Sequence, residues 1–170
     1  DENKTRDLAE VTYTRLLKAG EDEEALYRLA VDVLIALNRH PVAEAVPEGL
    51  ALYDARKFLE EAALLPDWFL PACPGFTLSP NARAEYDALW TALHPLACDA
   101  PPTLVLRDFH VDNLMRLERP GVRACGLLDF QDALRGPVTY DLMSLLEDAR
   151  RDISPALVAF LTERYLEAFP

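Results

Sequence analysis

The sequence predicts a mainly helical α+β domain that carries one small β-hairpin. Apolar residues recur at helical spacing through the first half of the chain and again at its end. Between them lie short apolar runs, punctuated by Pro101-Pro102 and Pro120-Gly121, with the look of strands and a turn. At 170 residues and 51% apolar side chains the chain can bury a core of its own. It shows no internal repeat and no low-complexity linker, so residues 1–170 are read as a single domain.

Residues 9–18 form the first predicted helix, closed by Gly20, because glycine tolerates the left-handed conformation that follows a helix. The second, over residues 22–40, puts Leu26, Leu29, Ala30, Val33 and Leu37 on a broad apolar face and crowds acids into its first turn. A third helix over residues 53–65 is expected to stop at Pro66, whose ring disfavours helix in the residue before it, leaving residues 66–76 irregular. Ser79 as N-cap and Pro80 in the first helical position then open a helix ending near His94, before Pro95. Residues 103–106 read as a strand, and residues 113–118 and 122–130 as two more, joined by a tight turn at Pro120-Gly121. The chain closes with helices in "GPVTYDLMSLLEDARR" and "SPALVAFLTERYLEAF", with Thr139 and Ser154 as N-caps.

The formal charge of −12 is spread along the chain, which repels phosphate backbones and anionic lipid and argues against nucleic-acid or membrane partners. A small neutral or cationic substrate suits it better. Cys73, Cys98 and Cys125 lie far apart without a CxxC pair, which fits a reducing compartment rather than a disulfide framework. No run approaches the ~18 apolar residues of a membrane span, and the charged start carries no export signal, so a cytoplasmic protein is expected.

One stretch interrupts this bland picture. "LVLRDFHVDNLMRL", residues 104–117, sets Asp108, His110, Asp112 and Asn113 between two apolar runs, and a second acidic loop, "DFQD", follows at residues 129–132. A hairpin that leaves from Asn113 and returns to Asp129 brings those two side chains together. Oxygen ligands of this kind suit a hard cation such as Mg²⁺, which takes one or two carboxylates plus phosphate oxygens and water. Asp-x4-Asn followed by an Asp beyond a hairpin is the layout that phosphoryl transfer from ATP requires: Asp108 as the base, Asn113 and Asp129 as the metal ligands.

"LRDFHVDN" resembles the catalytic loop of the kinase superfamily, and "GLLDFQDA" resembles the metal loop of its aminoglycoside phosphotransferase branch. The run "LRDFHVDNLM…GLLDFQDA…GPVTYDLMSLLEDARRD" is similar to the bacterial anomeric kinases that phosphorylate N-acetylmuramate and N-acetylglucosamine in cell-wall recycling. The similarity is strongest over residues 104–152 and extends into "TYTRLLKAGEDEEALYRLAVDVLIALNRH" and "FLEEAALLPDWFL". It implies the C-terminal lobe of a protein-kinase-like fold, ATP and Mg²⁺ as cofactors and an amino-sugar hydroxyl as acceptor. Leu106-Arg107-Asp108 departs from the branch's usual His-Gly-Asp, keeping the Asp and losing the His. Among six glycines none forms a GxGxxG loop, and the first eighteen residues show no strand pattern. The expectation is therefore a lobe with a hinge remnant near residues 1–12, catalytic and metal loops within 104–132, and no nucleotide-clamping lobe. Such a chain would be weakly active or inactive alone, and its uncovered cleft face would favour self-association.

The resemblance also gives His110 a structural place beneath the loop, rather than that of a general base, and has Asp141 accept backbone N–H bonds from the loop; as residues alone, Asp141 reads equally well as a first-turn acid. Glu60, Glu61, Asp67 and Trp68 are candidates for the acceptor site, although Trp68 and Phe69 between prolines also read as core. Alternative functions are an aminoglycoside kinase, a non-catalytic sugar-binding module, and a hydrolase holding a metal on His110, Asp112 and Asp129.

Overall fold

The computed structural model describes residues 11–169, so nearly all of the expected hinge remnant lies outside the described residues. Helices α1 (Tyr13–Lys18), α2 (Glu23–Asn38), α3 (Val42–Ala45) and α4 (Ala55–Leu64) come first. A π-helical turn (Leu65–Phe69) runs into the short α5 (Leu70–Ala72), and α6 (Pro80–Cys98) follows. Four short strands come next, β1 (Pro102–Val105), β2 (Leu114–Arg116), β3 (Cys125–Leu127) and β4 (Leu134–Pro137), and then α7 (Tyr140–Leu146) and α8 (Pro155–Glu167). The helix-rich body with small antiparallel sheets is the class that the apolar periodicity predicts.

Helix α2 organises the core. The Asp22 carboxylate accepts the Ala25 N–H at 3.0 Å and starts the helix. Leu26, Tyr27, Ala30, Val31, Leu34 and Ile35 then follow one another down its buried face, while Leu29, Val33 and Leu37 pack at its margin. Against that face lie Leu142, Leu145 and Leu146 of α7, Leu161 and Tyr165 of α8, and Phe109, Val111 and Leu114. The last three explain the interleaving of polar and apolar residues in the loop: Phe109 and Val111 are pegs in the core, and the polar residues between them are carried by those pegs. Burying such an aromatic or aliphatic side chain stabilises by roughly 1.5–3 kcal/mol, so the loop is anchored by the fold's own hydrophobic effect.

A relay of hydrogen bonds fastens the first sheet to the helices. Thr103 Oγ1 donates to Asn38 Oδ1 (2.8 Å), Asn38 Nδ2 donates to Tyr165 Oη (2.7 Å), and Tyr165 Oη donates to the Val138 carbonyl (2.9 Å). Each polar side chain of this relay thereby finds a partner as the apolar surfaces close.

The structure corrects the predicted elements in four places. First, β4 pairs antiparallel with β1, where the sequence predicts a helical stretch beginning at Gly136. On its other side β4 is bridged, among the described residues, by residues 51–53 only at Arg135, so Pro137 has no second neighbour to deprive of a donor. Gly136 is there for space, since a Cβ at this position would lie 2.8 Å from Tyr53 Cβ. Second, Pro66 does not stop the helix. The backbone widens into the π turn, and the Ala62 carbonyl, four residues before the proline that has no N–H to give it, accepts instead from Tyr86 Oη at 2.6 Å. Third, α6 continues through Pro95 to Cys98 on a surface helix with no fully buried side chain. Fourth, α7 ends at Leu146, and residues 117–124 of the β2–β3 connection contain a 3₁₀ turn, Gly121–Ala124, rather than a two-residue turn.

Helices α4 and α6 form a helical hairpin. Its seam is aromatic: Phe58 meets Trp90 (5.5 Å between centroids) and His94 (5.3 Å) edge-on, and Tyr86 lies against Trp90 (6.0 Å). Its outside is apolar too, with Trp68 75% and Leu96 80% exposed. Trp68 and Phe69 thus seal no core.

Candidate active site

The β2–β3 hairpin, in register Leu114↔Leu127 to Arg116↔Cys125, is extended at its open end by a bond from the Leu128 N–H to the Asn113 carbonyl (2.9 Å). Asn113 and Asp129 therefore flank the same end of the ladder, as the hairpin argument requires. Asn113 Nδ2 donates to the Asp108 carbonyl at 3.0 Å, which ties Asp108 to Asn113 and leaves Asn113 Oδ1 as its open ligand atom. Asp129 sits at φ +57°, and Gln131 Nε2 donates to its Oδ1 at 2.9 Å, leaving Oδ2 open. Exposed Leu128 and Phe130 flank it. Among the described residues no protein donor reaches the Asp108 carboxylate, the condition in which a carboxylate can take a proton from a ligand hydroxyl.

Two open oxygens on Asn113 and Asp129 are a hard, incomplete donor set. They suit a Mg²⁺ ion that completes its octahedron with phosphate oxygens and water. Among the described residues no three His, Cys, Asp or Glu side chains converge on a common metal position, which removes the His110–Asp112–Asp129 hydrolase site. Asp112 is engaged elsewhere, accepting from Thr14 Oγ1 and lying 3.7 Å from Arg150 Nε. His110 is buried, its Nε2 3.4 Å from Asn113 Nδ2, and its Nδ1 has no hydrogen-bond partner.

Asp141, at the start of α7, is 4% exposed, and its two oxygens accept the backbone N–H groups of Leu106 (2.7 Å) and Arg107 (2.9 Å). Burial pushes its carboxyl up to about 6, the two backbone donors pull the other way, and the Asp108 charge adds to the rise.

Arg107 is the residue that sequence reasoning passed over. It has φ +71°, and the Asp108 N–H folds back onto the Leu106 carbonyl at 3.0 Å, so Arg107 is the centre of a γ-turn of the rare positive-φ kind. A side chain at such a φ is strained by roughly 1–3 kcal/mol and persists where its surroundings hold it. Three contacts do so: Asp141 takes its N–H, Ser144 Oγ donates to its carbonyl at 3.1 Å, and its Nη2 reaches Glu61 Oε1 at 2.7 Å. The other Glu61 oxygen accepts from Tyr53 Oη (2.6 Å) and Tyr140 Oη (3.3 Å), whose rings meet edge-on at 5.0 Å. Burial raises both phenols, Tyr140 to about 12.

The four acceptor-site candidates therefore separate. Glu61 touches Arg107 at the start of the first acidic loop, but both of its oxygens are occupied by protein. Glu60 pairs with Arg56 (2.8 Å) on the outside of α4, Asp67 with Arg83, and Trp68 stands in solvent. The structure does not bring these three to the loop through any contact. A cavity of about 350 Å³, lined by Tyr53, Phe58, Cys98, Tyr140, Met143 and Ser144, opens between the helical hairpin and α7, beside the Glu61 cluster. A wider one of about 720 Å³, walled by Val11, Leu16, Arg116 and Pro120, shares no lining residue with either acidic loop.

Residues 5–170 match the model of the phosphotransferase enzyme family, and the chain belongs to that family. Within it, the chain is 35% identical over 170 residues to the N-acetylmuramate/N-acetylglucosamine kinase of Caulobacter vibrioides, covering 96% of this chain and 47% of that protein. It is 39% identical over 144 residues to the kinase of the same name from Pseudomonas aeruginosa, covering 84% and 40%. The chain thus spans about half the length, or less, of the curated relatives it matches. Among solved structures, the GDP complex of wild-type aminoglycoside 2′-phosphotransferase-IIIa superposes with a TM-score of 0.54 at 21% identity, over 86% of this chain and 48% of that one. A mutant of the same enzyme gives 0.55 at 20%, over 91% and 50%. This likeness is one of fold.

Proposed function

We propose that the chain is the C-terminal, chemistry-bearing lobe of an ATP-dependent amino-sugar kinase acting in the cytoplasm, which phosphorylates the anomeric hydroxyl of N-acetylmuramate or N-acetylglucosamine. The observation that carries this reading is the convergence of Asn113 and Asp129 at one end of the β2–β3 ladder, with Asn113 bonded to Asp108. The names of the relatives at 35% and 39% identity supply the acceptor class.

In this reading the acceptor hydroxyl donates a hydrogen bond to the Asp108 carboxylate, which orients its oxygen towards the γ-phosphorus and takes its proton as the new P–O bond forms and the bond from the γ-phosphorus to the β,γ-bridging oxygen breaks, ADP leaving with that oxygen. Asn113 Oδ1 and Asp129 Oδ2 would hold Mg²⁺, whose charge neutralises the phosphate oxygens. Gln131 fixes the orientation of Asp129, and Asp141 holds the backbone on which Asp108 stands. His110 packs beneath the loop and spaces Asp108 from Asn113. The curated relatives are about twice as long as this chain, so turnover is to be measured both on this chain and on a longer polypeptide of the relatives' length.

Incubating the protein with ATP, Mg²⁺ and a panel of amino sugars and aminoglycosides tests the reading. N-acetylated sugars are expected to be phosphorylated at C1, and Asp108→Asn to lower turnover by about a hundredfold or more. Turnover left intact by that change would refute the assigned base. Sugar binding by calorimetry without any phosphoryl transfer, even in the longer polypeptide, would favour the binding-module reading instead.

A further inference from the structure

We infer that Glu61 is a positioning residue: through its ion pair with Arg107 it holds the strained γ-turn closed and so couples the placement of Asp108 to the helical hairpin α4–α6. Its catalytic consequence rests on Asp108 being the base; the mechanical coupling does not.

Asp108 owes its direction to the Leu106–Arg107–Asp108 turn, and that turn asks an arginine to hold φ +71°. Glycine would adopt this angle freely, whereas a residue with a Cβ needs external restraint. Two of the three restraints, from Asp141 and Ser144, act on the Arg107 backbone and come from α7, on the same side of the fold as the core. The third acts on its side chain and comes from elsewhere. Glu61 lies on α4, 46 residues earlier in the chain, and among the described residues Arg107 is its one ion-pair partner. The pair is about three-quarters buried on both sides (23% and 24% exposed), where an ion pair is screened far less than on a surface.

Glu61 is itself held in place. Tyr53 Oη donates to it from the segment whose Tyr53 N–H pairs with the Arg135 carbonyl of β4 (2.8 Å), and Tyr140 Oη donates from the first turn of α7. The carboxylate is thus a rivet through three layers, the hairpin, the edge of the first sheet and α7, with the guanidinium of the turn as its head. A shift of α4 along its axis would pull on Arg107, and the adjacent bond that responds is the one between the Asp108 N–H and the Leu106 carbonyl. A displacement of about 1 Å at a reacting group is enough to cost on the order of a hundredfold in rate.

Amide hydrogen exchange on the 170-residue chain reads the turn directly, without requiring turnover. Glu61→Gln keeps the shape and removes the charge. It is expected to speed exchange at the Asp108 and His110 amides at least about tenfold, and Arg107→Met to do the same from the other side of the bond. The double variant Glu61→Gln/Arg107→Gly is expected to regain slow exchange at those amides, because glycine carries no strain at this φ and the Asp141 and Ser144 bonds to the backbone then suffice to hold the turn. Unchanged exchange in both single variants overturns the inference. So does fast exchange that glycine fails to restore, since Glu61 would then serve only the packing of the hairpin. In the longer, active polypeptide, Glu61→Gln should lower kcat by about tenfold or more while leaving KM for the sugar within about twofold. Should the wild type transfer no phosphate at all, the kinase reading fails and the exchange result still stands or falls alone.

Discussion

At Asp141 two demands oppose each other. The carboxylate must be charged to accept two backbone N–H bonds well, yet it is buried beside the charge of Asp108, and burial prevails, lifting its pKa from 3.8 to about 6. Between those values the folded chain holds a proton that the unfolded chain releases, so this group's contribution to stability is complete below pH 4 and is lost as the pH rises through 6. At 1.36 kcal/mol per unit the loss is on the order of 3 kcal/mol. Asp141→Asn has no such titration, so denaturant unfolding should show the variant gaining on the wild type by about that amount between pH 4 and pH 7. A difference independent of pH would remove the argument. At this scale the sequence was informative where the chemistry is local. Asp108, Asn113 and Asp129 stand out because polar residues break an apolar run, and their approach follows from one hairpin. The Arg107–Glu61 pair was illegible because it spans 46 residues and because nothing in a single sequence reveals that an arginine will adopt positive φ.

Among the elements, the misread ones share a cause. Proline is expected to stop the helix at Pro66 and before Pro95, and Gly136-Pro137 is read with the helix that follows; in each case the surroundings absorb what the proline lacks. Pro66 is accommodated by a wider turn and by a tyrosine that replaces its missing donor. Pro95 lies in a helix open to solvent, and Gly136-Pro137 lies in a two-stranded sheet. The Tyr86 bond to the Ala62 carbonyl is therefore structural. Tyr86→Phe should destabilise the chain by about 1 kcal/mol, measured as a lowered urea midpoint, with faster amide exchange confined to residues 62–72. A midpoint unchanged by the substitution would mean that water serves the carbonyl equally well. The elements read correctly, α2 and the β2–β3 pair above all, are those whose own pattern matches the environment they meet: a long amphipathic face on a core, and two apolar runs on either side of a turn.

For the molecule as a whole, the family is established and the chain accounts for about half the length of its curated relatives. Its apolar surface is distributed accordingly. Leu89, Leu93 and Leu96 of α6, Leu64 and Leu65, and Trp68 and Phe69 stand exposed on the helical hairpin, and Leu128 and Phe130 beside Asp129. The cleft face was the surface expected to drive self-association; the hairpin offers the larger share of exposed apolar side chains. Light scattering over a concentration series should show reversible association of the 170-residue chain that Leu89→Lys together with Leu96→Lys abolishes. A strict monomer at high concentration would show that this surface is inert. No helix among the described residues is long and apolar enough to cross a membrane.

Both tryptophans of the chain, Trp68 and Trp90, sit on that same hairpin, one in solvent and the other wedged between Phe58 and Tyr86. Ultraviolet emission from this protein is therefore a local signal. Acrylamide will quench Trp68 freely and Trp90 only when the aromatic wedge loosens, so a change in the protected fraction on adding sugar would report the tilt of one helix in real time, with no dye attached.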